Sequence, residues 1–313
     1  MMGFISCYNE LTVQVSESKS SSSCSSYNNV NSSCVSPNLI PAAIQTAATN
    51  LYKTTLSTGD RHVIAVTWCR NSTTQGLQIN SGDDPATAFR LNTNSRLFRK
   101  KKGSKAFEIG DSKFEVFYDL SAARYAGAGG AEPVEGYYVL VMVDSELGLF
   151  IGDLAEEAAA KKVKNYKKEI ANFNLISRRE HFYGNTLYST KARFSDAGIC
   201  HDIVIRCTGD EAGEKGYSLS VCIDKRVMIR VKRLQWNFRG NQTIFVDGLS
   251  VDLMWDVHDW FFGSGSGSGS GHGVFMFRTR NGLDSRLWLE EKVVTKKDDE
   301  KKEFSLLVYA TKS

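Results

Sequence analysis

Along most of the chain apolar and polar residues alternate in short runs, the period-two pattern of a strand with one buried face. Such runs occupy residues 51–58, 62–69, 77–80, 88–98, 106–109, 113–120, 137–143 and 147–151, separated by Gly, Asn and Asp turn signals. Phe114, Val116, Tyr118 and Leu120 alternate with Glu115 and Asp119, which predicts an apolar inward face. One segment breaks the pattern. Residues 154–170 predict a helix, with Asp153 and Glu156 as a capping-box-like start. Glu156 and Glu157 suit its positive end, and Lys161, Lys162, Lys164, Lys167 and Lys168 suit its negative end.

Beyond the helix the pattern starts again. Asn50-Leu51-Tyr52 is echoed by Thr186-Leu187-Tyr188, and residues 62–69 (HVIAVTWC) by residues 201–207 (HDIVIRC). Phe114, Val116, Tyr118 and Leu120 return as Val251, Leu253, Trp255 and Val257, and Leu149-Phe150-Ile151 as Leu287-Trp288-Leu289. The four blocks recur in the same order at offsets between 136 and 139 residues. The expected fold is therefore all-β: two tandem copies of an antiparallel β-sandwich or barrel-like module of about eight strands, with one helix between them. The expected boundaries are 38–153 for the first module, 154–172 for the helix and 173–313 for the second. The helix is expected to pack across the copies or to cover a sheet edge.

Composition adds the margins of this plan. Residues 1–37 are dominated by Ser and Asn and cannot bury enough apolar surface to offset their ordering entropy, so they are expected to be disordered. Residues 263–271 alternate Gly with Ser and predict a flexible surface loop. No stretch approaches the roughly 20 apolar residues of a membrane-spanning helix. The N-terminus lacks the basic and apolar regions of a secretory signal. Its serines would suit a plastid transit peptide, but Glu10, Glu17 and the lack of Arg oppose that, so a cytoplasmic or nuclear placement is expected. Seven cysteines form no C-x-x-C pair; Cys69, Cys207 and Cys222 lie in apolar strand-like runs and are expected as buried thiols in a reducing compartment. Cys200 and His201 are neighbours on a strand and so point to opposite faces.

The formal net charge is only +4 among 313 residues, so any attraction for anions must be local. Two basic stretches with interleaved aromatics provide the candidates. The first holds Arg90, Arg96, Arg99, Lys100, Lys101, Lys102 and Lys105 with Phe89 and Phe98. The second holds Lys225, Arg226, Arg230, Lys232, Arg233 and Arg239 with Trp236 and Phe238. The residues selected as a binding surface are Arg96, Arg99, Lys100, Lys101, Lys102, Arg230, Lys232, Trp236 and Arg239. Strand alternation puts Arg230 and Lys232 on one side, with Ile229, Val231 and Arg233 on the other. Cations beside aromatic faces hold phosphates and stack bases, or meet an anionic membrane surface. The competing reading is an ordinary solvated face whose lysines guard a sheet edge.

Other constellations are weaker. Glu115, Asp119, Asp252 and Asp256 recur, but residues four apart on one strand are about 13 Å apart, too far for a glycosidase pair. His258 lies between Asp256 and Asp259 and between Trp255 and Trp260, and is expected as a structural turn with Trp255 in the core. No metal site, cofactor fingerprint or catalytic elbow is predicted.

Taken together, residues 50–70 (NLYKTTLSTGDRHVIAVTWCR), 107–120, 133–153, 234–260 and 274–291 (VFMFRTRNGLDSRLWLEE) resemble a plant-restricted family of uncharacterised proteins, domain of unknown function 868. The resemblance implies a plant source and one unit spanning both copies, and it implies no activity. The expected function is a non-enzymatic binding or scaffold module whose partner is a protein, RNA or an anionic lipid surface. The alternatives are a hydrolase acting on glycans through Asp119 or Asp256 with a second carboxylate, and a carrier of hydrophobic ligands.

Overall fold

A computed structural model describes residues 43–71, 75–81, 89–92, 101–125, 130–166, 170–184, 186–195, 198–209, 216–262, 271–280 and 303–311. The expected disordered tail, most of the Gly-Ser run, the Leu287-Trp288-Leu289 echo and the candidate residues Arg96, Arg99 and Lys100 lie outside the described residues.

The described chain is mostly β. Its first half contains β1 (Ile44–Thr55), β2 (Arg61–Arg70), β3 (Gln75–Ser81), β4 (Phe89–Asn92), β5 (Lys102–Ile109) and β6 (Ser112–Asp119). A small ribbon of β7 (Arg124–Tyr125) and β8 (Pro133–Glu135) follows, then β9 (Tyr138–Val143), β10 (Glu146–Ile151) and the helix α1 (Ala155–Tyr166). After it come β11 (Asn172–Tyr183), β12 (Leu187–Ala192), β13 (His201–Gly209), β14 (Tyr217–Ile223) and β15 (Arg226–Val231). The chain ends with β16 (Arg239–Val246), β17 (Leu249–Asp256), the short helix α2 (His258–Phe262), β18 (His272–Thr279) and β19 (Ser305–Thr311). Two-residue turns at Asp144-Ser145, Asp224-Lys225 and Asp247-Gly248 have positive φ at both positions, the twist-matched form for tight hairpins.

These strands build a nine-stranded sheet in the order β16-β17-β18-β19-β11-β1-β2-β3-β4, and two four-stranded sheets, β10-β9-β6-β5 and β12-β13-β14-β15. None of them closes into a barrel. Every pairing is antiparallel except β11 with β19. Residues opposite one another in a ladder share a face. One such row crosses the large sheet as Trp255, Phe275, Val308, Glu180, Ala48, Trp68 and Leu77. All seven are buried. The Trp255 end packs with Ile203, Ile205 and Val221 of one small sheet, and the Trp68 end packs with Val116, Val139 and Val141 of the other. Both small sheets therefore lie side by side on the same face of the large one.

The inward faces read from the sequence are the observed ones. Phe114, Val116, Tyr118, Leu120, Val251, Leu253, Trp255 and Val257 are all buried as core. Four expectations change. The helix covers neither an edge nor both halves; its apolar side, Ala155 and Ala159, packs with Leu140, Met142 and Leu147 on the outer face of β9 and β10. Asp153 does not cap the helix in a box; its carboxylate accepts the amides of Gly136 and Tyr137 at 2.9 and 3.0 Å. Cys69 is exposed, because its position opposite Ala47 faces away from both small sheets. Cys207 is buried as expected, and Cys222 is buried but disulfide-bonded rather than a thiol.

In the second half a close approach fixes the hairpin of β16 and β17. A Cβ added at Gly240 would sit 2.2 Å from the Trp255 ring, its cross-strand partner, so only glycine lets the indole lie across the strand. In the first half Gly103 faces Tyr118, and an added Cβ would be 3.3 Å from the phenol oxygen. Gly240→Ala is expected to lower stability by about 1–3 kcal/mol through overpacking, with a smaller loss for Gly103→Ala. Urea unfolding midpoints check this, and equal losses at the two sites would contradict the packing described.

Candidate functional site

Strand directions place the two basic stretches relative to one another. Because β11 and β19 are parallel and all their other neighbours antiparallel, β4 ends at the same end of the large sheet at which β16 begins and β17 finishes. The connections β4–β5 and β15–β16, which carry the basic stretches, thus leave from one end of the molecule. They do so at its opposite lateral margins, since β4 and β16 are the two edges of the large sheet. The helix α2, following β17, is at this end too.

At the β15–β16 crossover, Ile229 and Val231 are buried and Arg230 faces out, as strand alternation requires. The strand stops at Val231, and Arg233, expected on the inward side, is instead an exposed turn residue with φ 51°. The Trp236 amide donates to the Arg233 carbonyl at 2.8 Å, and the Asn237 side-chain amide donates to the Lys232 carbonyl at 2.9 Å. Leu234 anchors this turn in the core, leaving Trp236 78% exposed.

The two hairpin mouths at this end match one another. Lys102 is paired with Asp119 at 2.9 Å, and Arg239 with Asp256 at 2.8 Å. Burial of Asp119 opposes its ionisation, but the hydrogen bonds from Lys102 and Ser121 outweigh it and hold its pKa below the ordinary value. Lys102 and Arg239 are therefore neutralised by cross-strand carboxylates rather than presented bare. Lys101, Arg230, Lys232 and Trp236 are exposed as well, beside these two ion-paired but exposed cations.

Next to Trp236 lies an aromatic patch that the sequence reading did not select. Phe238 packs on His258 and Phe262 with ring centres 5.2 and 5.5 Å apart, and Phe261 packs on Tyr217 at 5.3 Å. The run Trp260-Phe261-Phe262 was visible, but α2 is too short to show which of its faces is buried. Trp260 turns in, its indole N–H donating to the Ala310 carbonyl, while Phe262 stays 54% exposed.

The carboxylates weighed for hydrolysis are engaged elsewhere: Glu115 with Lys113 at 2.9 Å, and Asp252 with Arg280 at 2.6 Å and the Thr243 hydroxyl at 2.8 Å. The fold brings together two others. Arg178 of β11 donates to Glu180 at 2.5 Å, to Glu132 at 2.7 Å and to the Asn50 side-chain oxygen Oδ1 at 2.9 Å. Thr190 donates to Glu180 at 2.7 Å, and the second Glu180 oxygen has no hydrogen-bond partner. Glu180 is fully buried and Arg178 and Glu132 are partly exposed; together they form a polar seam between the two halves. Among the described residues no group of three or more His, Cys, Asp or Glu is placed to hold a metal ion, the residues around His258 included.

At the opposite end of the second half, buried His201 is clamped between two turn carboxylates. Nδ1 is 2.6 Å from Asp224 and Nε2 is 2.8 Å from Asp247. Two carboxylates can both be satisfied only by an imidazolium, which donates from both nitrogens. Burial disfavours the charged ring, yet the two hydrogen bonds outweigh it and hold the pKa above its usual 6.5. A raised folded-state pKa contributes stability that is complete below about pH 6.5 and is lost as pH rises through the folded value. The stability gap between wild type and His201→Gln should therefore shrink as pH rises above 6.5. Urea titrations across pH measure that gap, and a pH-independent gap would contradict the clamp.

A family model described as plant protein of unknown function (DUF868) matches residues 43–312. No curated protein and no solved structure matches the chain.

Proposed function

This chain belongs to the DUF868 family of plant proteins of unknown function, and on that premise we propose a non-enzymatic binding protein that holds an anionic partner at the crossover end of the molecule. The observation that carries this reading is Trp236, 78% exposed in a turn flanked by Arg230, Lys232 and Arg233. Leaving an indole in water is unfavourable, and exposed apolar patches rimmed by polar groups mark interaction sites. The partner's charge follows from the cations around it. Among the described residues beside the patch, Asp256 and Asp259 are occupied by Arg239 and by His258 and His272.

We also read the two halves as tandem copies of one sandwich. Support comes from the hairpin mouths, where Lys102, Gly103, Tyr118 and Asp119 match Arg239, Gly240, Trp255 and Asp256 at a constant offset of 137 residues. Duplication would give the molecule two crossovers facing the same way. The compartment we propose is the cytoplasm or nucleus, on the exposed free thiols of Cys69 and Cys200, although the disulfide-bonded Cys222 speaks against it. Among the described residues no helix is long and apolar enough to cross a membrane.

The test is binding of the full chain to heparin, a generic polyanion, across a salt series. The expected result is binding that weakens steadily with salt and falls about tenfold or more in Arg230→Glu/Lys232→Glu/Arg233→Glu. No binding at low salt, or binding indifferent to the triple change, would overturn the assignment.

A further inference from the structure

The aromatic patch narrows the partner. It rests on the reading above, since it concerns the same end of the molecule, but it separates a lipid surface from a nucleic acid. A protein that stacks bases presents open ring faces along a basic groove. Here, Trp236 apart, the rings close on each other instead. Phe238 meets Phe262 at an interplanar angle of 75°, Phe261 meets Phe262 at 62°, and Tyr217 meets Phe261 at 58°. The contacts of Phe262 with Phe238 and Phe261 are edge-to-face, one ring's C–H edge on the other's face, and the Tyr217 contact is tilted, so ring faces are covered within the patch. The result is an apolar cap, with Phe262 54% and Tyr217 46% exposed beside the protruding Trp236.

Phenylalanine presents only apolar surface, which partitions readily into acyl chains. Trp and Tyr favour the headgroup level, and cations beside them are drawn to anionic headgroups. The cap carries all three kinds of group: Phe262 and Phe261 at its apolar centre, Trp236 and Tyr217 around it, and Lys232 and Arg233 on its flank. We propose that this end of the second half docks on an anionic lipid bilayer, with Trp236 and Phe262 entering the headgroup–acyl boundary and Lys232 and Arg233 contacting the headgroups. The exposed Lys101, on the same end of the first half, would face the same surface.

Co-sedimentation of the full chain with vesicles of phosphatidylcholine, with and without phosphatidylserine, tests this directly. A parallel arm uses a short single-stranded RNA. Binding is expected only to the phosphatidylserine vesicles, with about a tenfold loss in either Trp236→Ala/Phe262→Ala or Lys232→Glu/Arg233→Glu. Trp236→Tyr should retain most of it. Unchanged urea midpoints separate these surface effects from misfolding. RNA binding without vesicle binding, or vesicle binding indifferent to the aromatic pair, overturns the lipid assignment while leaving an anion-binding protein. Failure with vesicles, RNA and heparin alike overturns both.

Discussion

Strand β11 is the constraint on which the rest of the structure depends. It pairs antiparallel with β1 and parallel with β19, so one twelve-residue segment joins two four-stranded meanders into a nine-stranded sheet. Without it, β1 and β19 would each present an open edge with unpaired backbone groups. Its inward side cannot be purely apolar, because it lies where the two small sheets meet. Arg178 fills that place and binds carboxylates from both sides, Glu132 in the loop before β8 and Glu180 within β11 itself. Removing the guanidinium would leave two carboxylates without their counter-ion, one of them fully buried. Such a change typically costs about 3–5 kcal/mol.

The parallel pairing also decides where the surface chemistry falls. Had β11 run the other way, the two basic crossovers would lie at opposite ends of the sheet. As built, they leave from one end, and α2 with its rings stands beside the second of them. The far end of the second half is occupied by the His201 clamp, which ties a turn of the small sheet to a turn of the large one. One end is thus stapled and the other carries exposed cations and rings.

Much of this was readable from the pattern of residues, for a physical reason. Strands that pack one face alternate strictly, so the inward residues of β6 and β17 could be named in advance. β11 could not. Its inward positions hold charge at Arg178 and Glu180, and a register shift opposite Leu51 and Tyr52 breaks its alternation. The sequence signalled the helix but not its seat, because Ala155 and Ala159 form too small an apolar stripe to identify a partner. At the candidate site, composition drew attention to Lys102 and Arg239, yet cross-strand register gives each a carboxylate seventeen residues on. The exposed members, Trp236 and Lys232, stand out because β15 stops at Val231 and the turn anchors itself by Leu234. Which way the rings of α2 point depends on neighbours far along the chain, Tyr217 and Phe238, and no local pattern encodes that.

β11 is a buried strand shared by both halves of the large sheet rather than a linker between two independent units. Native-state hydrogen exchange of the β11 amides tests this most directly. The paired amides between Ser177 and Tyr183 are expected to exchange as slowly as those of β1 and β2, through global unfolding only. Fast exchange in that segment, with β1–β4 and β16–β18 still protected, would contradict that arrangement.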